Sequence, residues 1–120
     1  MKSSTKLSPA EIADRLKRLP GWRLADGGGE IVREYVTDGW PTTLMLVNAI
    51  GFFAESADHH PDLAVSWGKI QVKLSTHSAG GVTASDMELA ALIERTALWR
   101  PPSDSALRGT TKKFVGPGGP

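Results

Sequence analysis

The sequence predicts an α+β fold, a four-stranded antiparallel sheet with three helices packed on one face, and three observations carry that prediction. Two capping pairs mark helix starts, Ser8 with Glu11 and Thr83 with Asp86, because a hydroxyl and an acid three residues apart can satisfy each other's orphan N–H groups. The stretch from Lys69 to Ser75 alternates polar and apolar residues strictly, which is the period of a strand with one buried face. Along the chain the signals run helix, hairpin, helix, hairpin, helix, an order that suits an antiparallel sheet covered on one side.

The first helix follows Ser8, with Pro9 at the first helical position, where a missing N–H costs nothing, and with Ile12, Leu16 and Leu19 on one apolar face. Pro20-Gly21 ends it. Trp22 to Leu24 and Ile31 to Val36 read as two short strands joined through Asp26-Gly27-Gly28-Gly29, a flexible hairpin connection. Asp38-Gly39-Trp40-Pro41 turns into a longer central helix, about Pro41 to Ala57. Its Leu44, Val47, Ile50 and Phe53, with Met45 and Phe52 nearby, are expected to form a broad buried stripe. Leu63 to Trp67 and Lys69 to Thr76 make a second hairpin about Gly68. Gly80-Gly81 then breaks the chain, and Met87 to Leu98 is the third helix, closed by Pro101-Pro102.

At 120 residues the chain has room for one core, marginal in surface-to-volume terms, so self-association would help it. Residues 1–100 are expected to form the domain and residues 101–120, rich in Pro, Gly, Ser and Lys, an extended or partly disordered tail with Leu107, Phe114 and Val115 as its anchors. A net charge of +1, from 14 basic and 13 acidic side chains interspersed, gives little attraction to nucleic acid or anionic lipid. The absence of cysteine excludes disulfides, zinc ribbons and thiol nucleophiles and fits a reducing cytoplasm. The longest apolar run, Leu44 to Ala54, is interrupted by Asn48 and Gly51 and too short to span a bilayer. A soluble, cytoplasmic, unexported protein is expected. Gly27 to Gly29 does not precede a helix, so it is not a phosphate loop.

Chemistry concentrates in Glu55-Ser56-Ala57-Asp58-His59-His60-Pro61-Asp62, at the junction of the central helix and the third strand. Adjacent histidines in an extended segment point to opposite sides, and Pro61 keeps His60 out of the helical region. Histidine exchanges protons near neutral pH without extreme tuning, and Glu55 and Asp58 are close enough in sequence to orient a ring. Taken alone, the cluster reads equally as histidines that close a helix end. His77 tips the balance towards function: it ends the strand whose hairpin partner begins just after His60, so pairing brings it back towards His59 and His60 at one edge of the sheet. Three imidazoles and a water would make an open zinc site. Adjacent histidines rarely converge on one ion, however, and no His-x-x-x-His puts two ligands on one helical face, so no metal is expected. Trp67 and Trp22 could wall a flat heterocycle, although tryptophan in a small core more often packs; Asp86 is where a capping box would place an acid anyway.

Glu55-x-x-x-His59-His60-Pro61, followed after five residues by Trp67, after nine more by His77 and after eight more by Asp86, resembles the signature of the pterin-4a-carbinolamine dehydratases. Leu19-Pro20-Gly21-Trp22, Leu74-Ser75-Thr76-His77 and Gly80-Gly81-Val82-Thr83-x-x-Asp86 extend the resemblance over about Leu7 to Leu98. It implies dehydration of 4a-hydroxytetrahydropterin to quinonoid dihydropterin, with the pterin as substrate and no cofactor or metal, in a dimer or tetramer. His59 and His77 would protonate the departing 4a-hydroxyl, and His60 would orient the pterin or accept a proton. Glu55 and Asp58 would tune these rings, Pro61, Ser75 and Thr76 would shape the pocket, and Trp67 and Asp86 complete the implied substrate-binding set. The tail from Leu98 to Val115 is similar instead to dehydratase-like proteins of the α-carboxysome implicated in RuBisCO assembly. That likeness implies an alternative, a non-catalytic assembly factor that binds RuBisCO subunits.

Overall fold

The computed structural model describes residues 5–116. Helix α1 (Pro9–Leu16) opens on the expected capping box: the Glu11 N–H donates to Ser8 Oγ at 3.1 Å and the Ser8 N–H to Glu11 Oε1 at 2.8 Å, a device worth about 1 kcal/mol. It stops before Pro20 because the next turns tighten, with the N–H of Leu19 on the Leu16 carbonyl and that of Trp22 on Leu19. Trp22 is thereby held out of β1, which shortens to Arg23–Leu24. Strand β2 (Ile31–Thr37), helix α2 (Trp40–Ala57), strands β3 (Asp62–Ser66) and β4 (Lys69–Leu74), and helix α3 (Ala84–Ala97) follow in the expected order. Among the described residues no helix is long and apolar enough to cross a membrane.

The sheet is antiparallel throughout, in the order β1-β2-β4-β3. One addition comes from the stretch expected to be an extended or partly disordered tail. Val115–Gly116 forms a fifth strand, β5, against Val36 and Thr37 of β2, and Val115 packs against the core while Leu107 stays exposed. The register places Ile31, Arg33 and Tyr35 of β2 opposite Leu74, Val72 and Ile70 of β4, all of them buried. This is the face the helices cover. Glu34, Gln71 and Lys73, one residue out of phase, point to the opposite face, where they are half-buried.

Helix α2 corrects one expectation. Leu46, Ile50 and Ala54 form its buried stripe, with Thr42 and Thr43 at its start. Val47 and Phe53 are only half-buried, and Leu44, Met45 and Phe52 are exposed, Phe52 at 68%. Nearly every position from Leu44 to Ala54 is apolar, so the pattern did not single out a face; packing against Leu89, Ala90 and Ile93 of α3 and the sheet did.

A buried ionic cluster ties α3 to the sheet. Glu94 Oε1 accepts from Trp22 Nε1 at 3.0 Å, from Arg33 Nε at 3.0 Å and from the Tyr35 hydroxyl at 2.6 Å, while Oε2 accepts from Arg33 Nη2 at 3.1 Å. Burial opposes the charge on Arg33 and on Glu94, but their mutual hydrogen bonds and attraction win: the arginine pKa is raised and the glutamate pKa lowered. Burial, reinforced by Glu94, pushes the Tyr35 hydroxyl well above its ordinary value. Strands β1 and β5 both flank the side of β2 away from β4, and between them Arg33 Nη1 donates to the Glu34 carbonyl at 3.0 Å. Gly21 makes room for this, since at its φ of +97° a Cβ would lie 2.6 Å from Arg33 Cζ.

Candidate active site

The junction of α2 and β3 is built by a change of backbone hand. Asp58 takes the left-handed conformation, φ 50° and ψ 46°, and is the one non-glycine residue among those described with positive φ. Its N–H reaches the Glu55 carbonyl at 3.3 Å, and the N–H of His59 reaches Ala54 at 3.0 Å, the paired bonds of a Schellman C-cap. The carboxylate expected to tune a histidine is exposed, and its residue serves as the helix stop. Aspartate is among the few side chains that tolerate this region.

Beyond the cap the two histidines diverge. His59, with 18% of its side chain exposed, turns inward, where Nε2 lies 2.5 Å from Oδ1 of the fully buried Asp86. His60 is exposed, and its Nε2 lies 3.0 Å from Oε1 of the equally exposed Glu55. Opposite sides are what an extended dipeptide dictates, and the half-buried Pro61 continues the segment into β3.

The β3–β4 ladder ends with Asp62 opposite Lys73; continued past the strand ends, the same register would set His60 across from Ser75 after two residues and His59 across from Thr76 after three. Asp86 closes that gap: Oδ2 accepts from the Thr76 hydroxyl at 2.7 Å and from the Thr83 N–H at 2.9 Å. Strand β4 ends at Leu74, short of the expected Thr76, because the Thr76 N–H turns to the Gly81 carbonyl at 2.8 Å. His77 is therefore the exposed first residue of a short 3-10 turn, His77–Ala79, rather than the end of a strand. The half-buried Ser75 lies between β4 and Thr76.

Asp86 thus has two functions. It completes the capping box of α3 with Thr83, as its spacing suggested, and it binds His59 from below. Sequence reading singled out neither Thr83 beyond its cap nor the Thr76–Thr83 hydroxyl contact at 2.8 Å. A Ser/Thr-rich turn before a capping acid was the signal available.

Trp67 lies away from this constellation. It sits on the β3–β4 turn at the other end of β3, and five strand residues separate the two ends by roughly 16 Å. Its indole lies over Gly39 at the start of α2, with Cζ2 3.3 Å from where a Cβ would be, and its carbonyl accepts from Thr43 Oγ1 at 2.9 Å. Within one chain Trp67 braces the N-terminus of α2, and Trp22 is buried against Glu94. His59 and His60 engage different carboxylates, and among the described residues no cluster of three or more His, Asp or Glu side chains could hold a metal ion.

A model of the family described as pterin 4 alpha carbinolamine dehydratase matches residues 5–96. A protein of Aquifex aeolicus named "Putative pterin-4-alpha-carbinolamine dehydratase" is 46% identical over 89 residues, covering 74% of this chain and 88% of that protein. One of the same name from Paracoccus denitrificans is 43% identical over 88 residues, covering 73% and 82%. Among solved structures, the transcriptional coactivator/pterin dehydratase of Brucella melitensis superimposes with a TM-score of 0.72 at 30% identity, over 74% of this chain and 95% of that one. A pterin dehydratase-like protein identified as a RuBisCO assembly factor in the α-carboxysome gives 0.57 at 14% identity, over 65% and 90%, a likeness of fold alone. With the family model spanning most of the chain and curated relatives above 40% identity, this protein belongs to the pterin 4 alpha carbinolamine dehydratase family.

Proposed function

We propose that this chain is a hydro-lyase that dehydrates a 4a-hydroxytetrahydropterin to the quinonoid dihydropterin by histidine acid/base catalysis, in the cytoplasm and as a self-associated oligomer. The observation that carries the reading is the pairing of His59 with buried Asp86, which also binds Thr76, the residue before His77. One carboxylate thus holds His59 and the threonine that precedes the exposed His77, with His60 next to His59 in sequence. A hydroxyl leaves readily only as water, so the reaction needs a proton delivered to the 4a-oxygen and another removed from the ring nitrogen, and imidazoles do both near neutral pH. His59 and His77 are the proton donors in this reading; His60, exposed and lightly held by Glu55, is free to orient the pterin or take the second proton. Alanine at both His60 and His77 is expected to abolish turnover while the circular dichroism spectrum and melting temperature stay near wild type. Retained turnover would sink the assignment.

A second reading, a non-catalytic RuBisCO assembly factor associated with the α-carboxysome, draws on the segment beyond residue 96 that the family model leaves unmatched and that folds back as β5. The dehydratase reading is favoured because all three histidines of the family signature, His59, His60 and His77, are present in the sequence. Binding of RuBisCO subunits by a chain that fails to accelerate dehydration would reverse that preference.

A further inference from the structure

Three groups converge on the buried carboxylate of Asp86: His59 Nε2 lies against Oδ1, and the Thr76 hydroxyl and the Thr83 N–H donate to Oδ2. A threonine hydroxyl has a single proton. Thr76 donates its proton to Asp86, so in the 2.8 Å contact between the Thr76 and Thr83 hydroxyls the donor must be Thr83. Thr83 Oγ1 in turn accepts from the Ser85 N–H at 3.3 Å. Every proton in this chain is assigned, and each points towards Asp86. Two donors fixed on Oδ2 stabilise the negative carboxylate, which leaves Oδ1 to accept from the imidazole and places the ring proton on Nε2. Among the described residues no group bonds to His59 Nδ1.

Building on the dehydratase reading, we infer that the chain Thr83–Thr76–Asp86 fixes His59 as the Nε2–H tautomer, so that Nδ1 exchanges the proton with the pterin. Thr76, Thr83 and Asp86 are then positioning residues that do not touch substrate, which departs from the substrate-binding roles the family resemblance implies for Thr76 and Asp86. Asp86 is fully buried beneath the ring it holds, so a ligand meets His59 before it meets the carboxylate. In the forward step, protonated His59 gives its Nδ1 proton to the 4a-hydroxyl oxygen. The C4a–O bond breaks and its electron pair leaves on the departing water. The N5–H bond supplies the pair that closes the C4a=N5 double bond, and its proton passes to neutral His60 or to water. His59 is left neutral with its proton on Nε2, the form that Asp86 stabilises.

Nitrogen-15 spectra of the histidine rings in the full chain, taken without pterin at a pH where the ring is neutral, read the tautomer directly. The expected spectrum has a protonated Nε2 and an unprotonated Nδ1 for His59. Thr76→Val is expected to shift the ring towards mixed tautomers and lower kcat about tenfold, the factor for one hydrogen bond of ordinary net strength, with KM within about twofold; Thr76→Ser should restore both. A neutral wild-type His59 carrying its proton on Nδ1, or Thr76→Val with unchanged ring shifts, overturns the inference. A wild-type chain with the Nε2–H tautomer but no dehydration supports the hydrogen-bond assignment and sinks the dehydratase reading alone.

Discussion

His59 Nε2 and Asp86 Oδ1 meet at 2.5 Å across 27 residues of sequence, joining the turn after α2 to the first turn of α3. The contact is at once a tertiary constraint and the centre of the candidate active site. One carboxylate caps a helix, receives a threonine and orients an imidazole, so its loss should be felt in both stability and turnover.

Asp86→Asn keeps the shape but removes the charge that three donors share. Hydrogen bonds to charged groups are worth about 1.5–3 kcal/mol, so urea unfolding should show a loss of about 2 kcal/mol. A double-mutant cycle with His59→Ala should return a coupling above about 0.5 kcal/mol. Additive effects would show that the two side chains do not act together.

Gly21→Ala should cost more than about 1 kcal/mol, because alanine at φ +97° is strained and its Cβ would strike the Arg33 guanidinium. Gly27→Ala, where nothing lies within 4 Å of the added carbon, should change stability by less than about 0.5 kcal/mol. Thermal denaturation of the pair checks the difference, and equal effects would argue against the close approach of Gly21 to Arg33.

The buried cluster sets a pH window. Glu94 has a folded pKa below its ordinary 4.5, so the folded state binds fewer protons than the unfolded chain; the stability this supplies is present above that value and is lost as pH falls through the folded pKa. Tyr35 has the opposite sign. Its folded pKa is raised above the ordinary 10.0, so stability falls as pH climbs past the value at which the unfolded tyrosine ionises. Urea midpoints measured from pH 3 to 11 should fall at both ends. Glu94→Gln should flatten the acid side and, by leaving the buried Arg33 without its charged partner, lower the neutral plateau by about 2 kcal/mol.

Asp58→Gly should leave stability unchanged or raise it by up to about 1 kcal/mol, since glycine occupies the left-handed cap without penalty. Asp58→Val should cost at least about 1 kcal/mol. A valine variant as stable as wild type would mean the cap is not in that conformation in solution.

What the sequence made legible is what depends on local rules. Both capping boxes, the alternation of β4 and the order of elements follow from spacing alone, and the structure has them. The buried face of α2 was not legible, because uniformly apolar residues give a helix no preferred side, and Leu46, Ile50 and Ala54 were selected by what packs above them. Arg33 and Glu94 also went unnoticed. An arginine in an otherwise apolar strand and a glutamate in a helix look solvated until tertiary contacts bring them to 3.0 Å. In the site, hairpin register anticipated only that the end of β4 returns towards His59 and His60; that Asp86, read from its spacing as a capping acid, also meets His59 and Thr76 depends on how α3 packs. Trp67 was placed with them by the family resemblance alone, and a strand's length carries it to the far end of β3.

The most direct test of the account is ultraviolet absorbance, followed as purified protein is added to freshly generated 4a-hydroxytetrahydropterin, for the wild type and for His59→Ala. The wild-type chain is expected to accelerate formation of the quinonoid product, and His59→Ala, still folded, to lose about 100-fold or more of that acceleration. A folded wild-type protein that leaves the spontaneous rate unchanged, or a His59→Ala variant as fast as wild type, would contradict it.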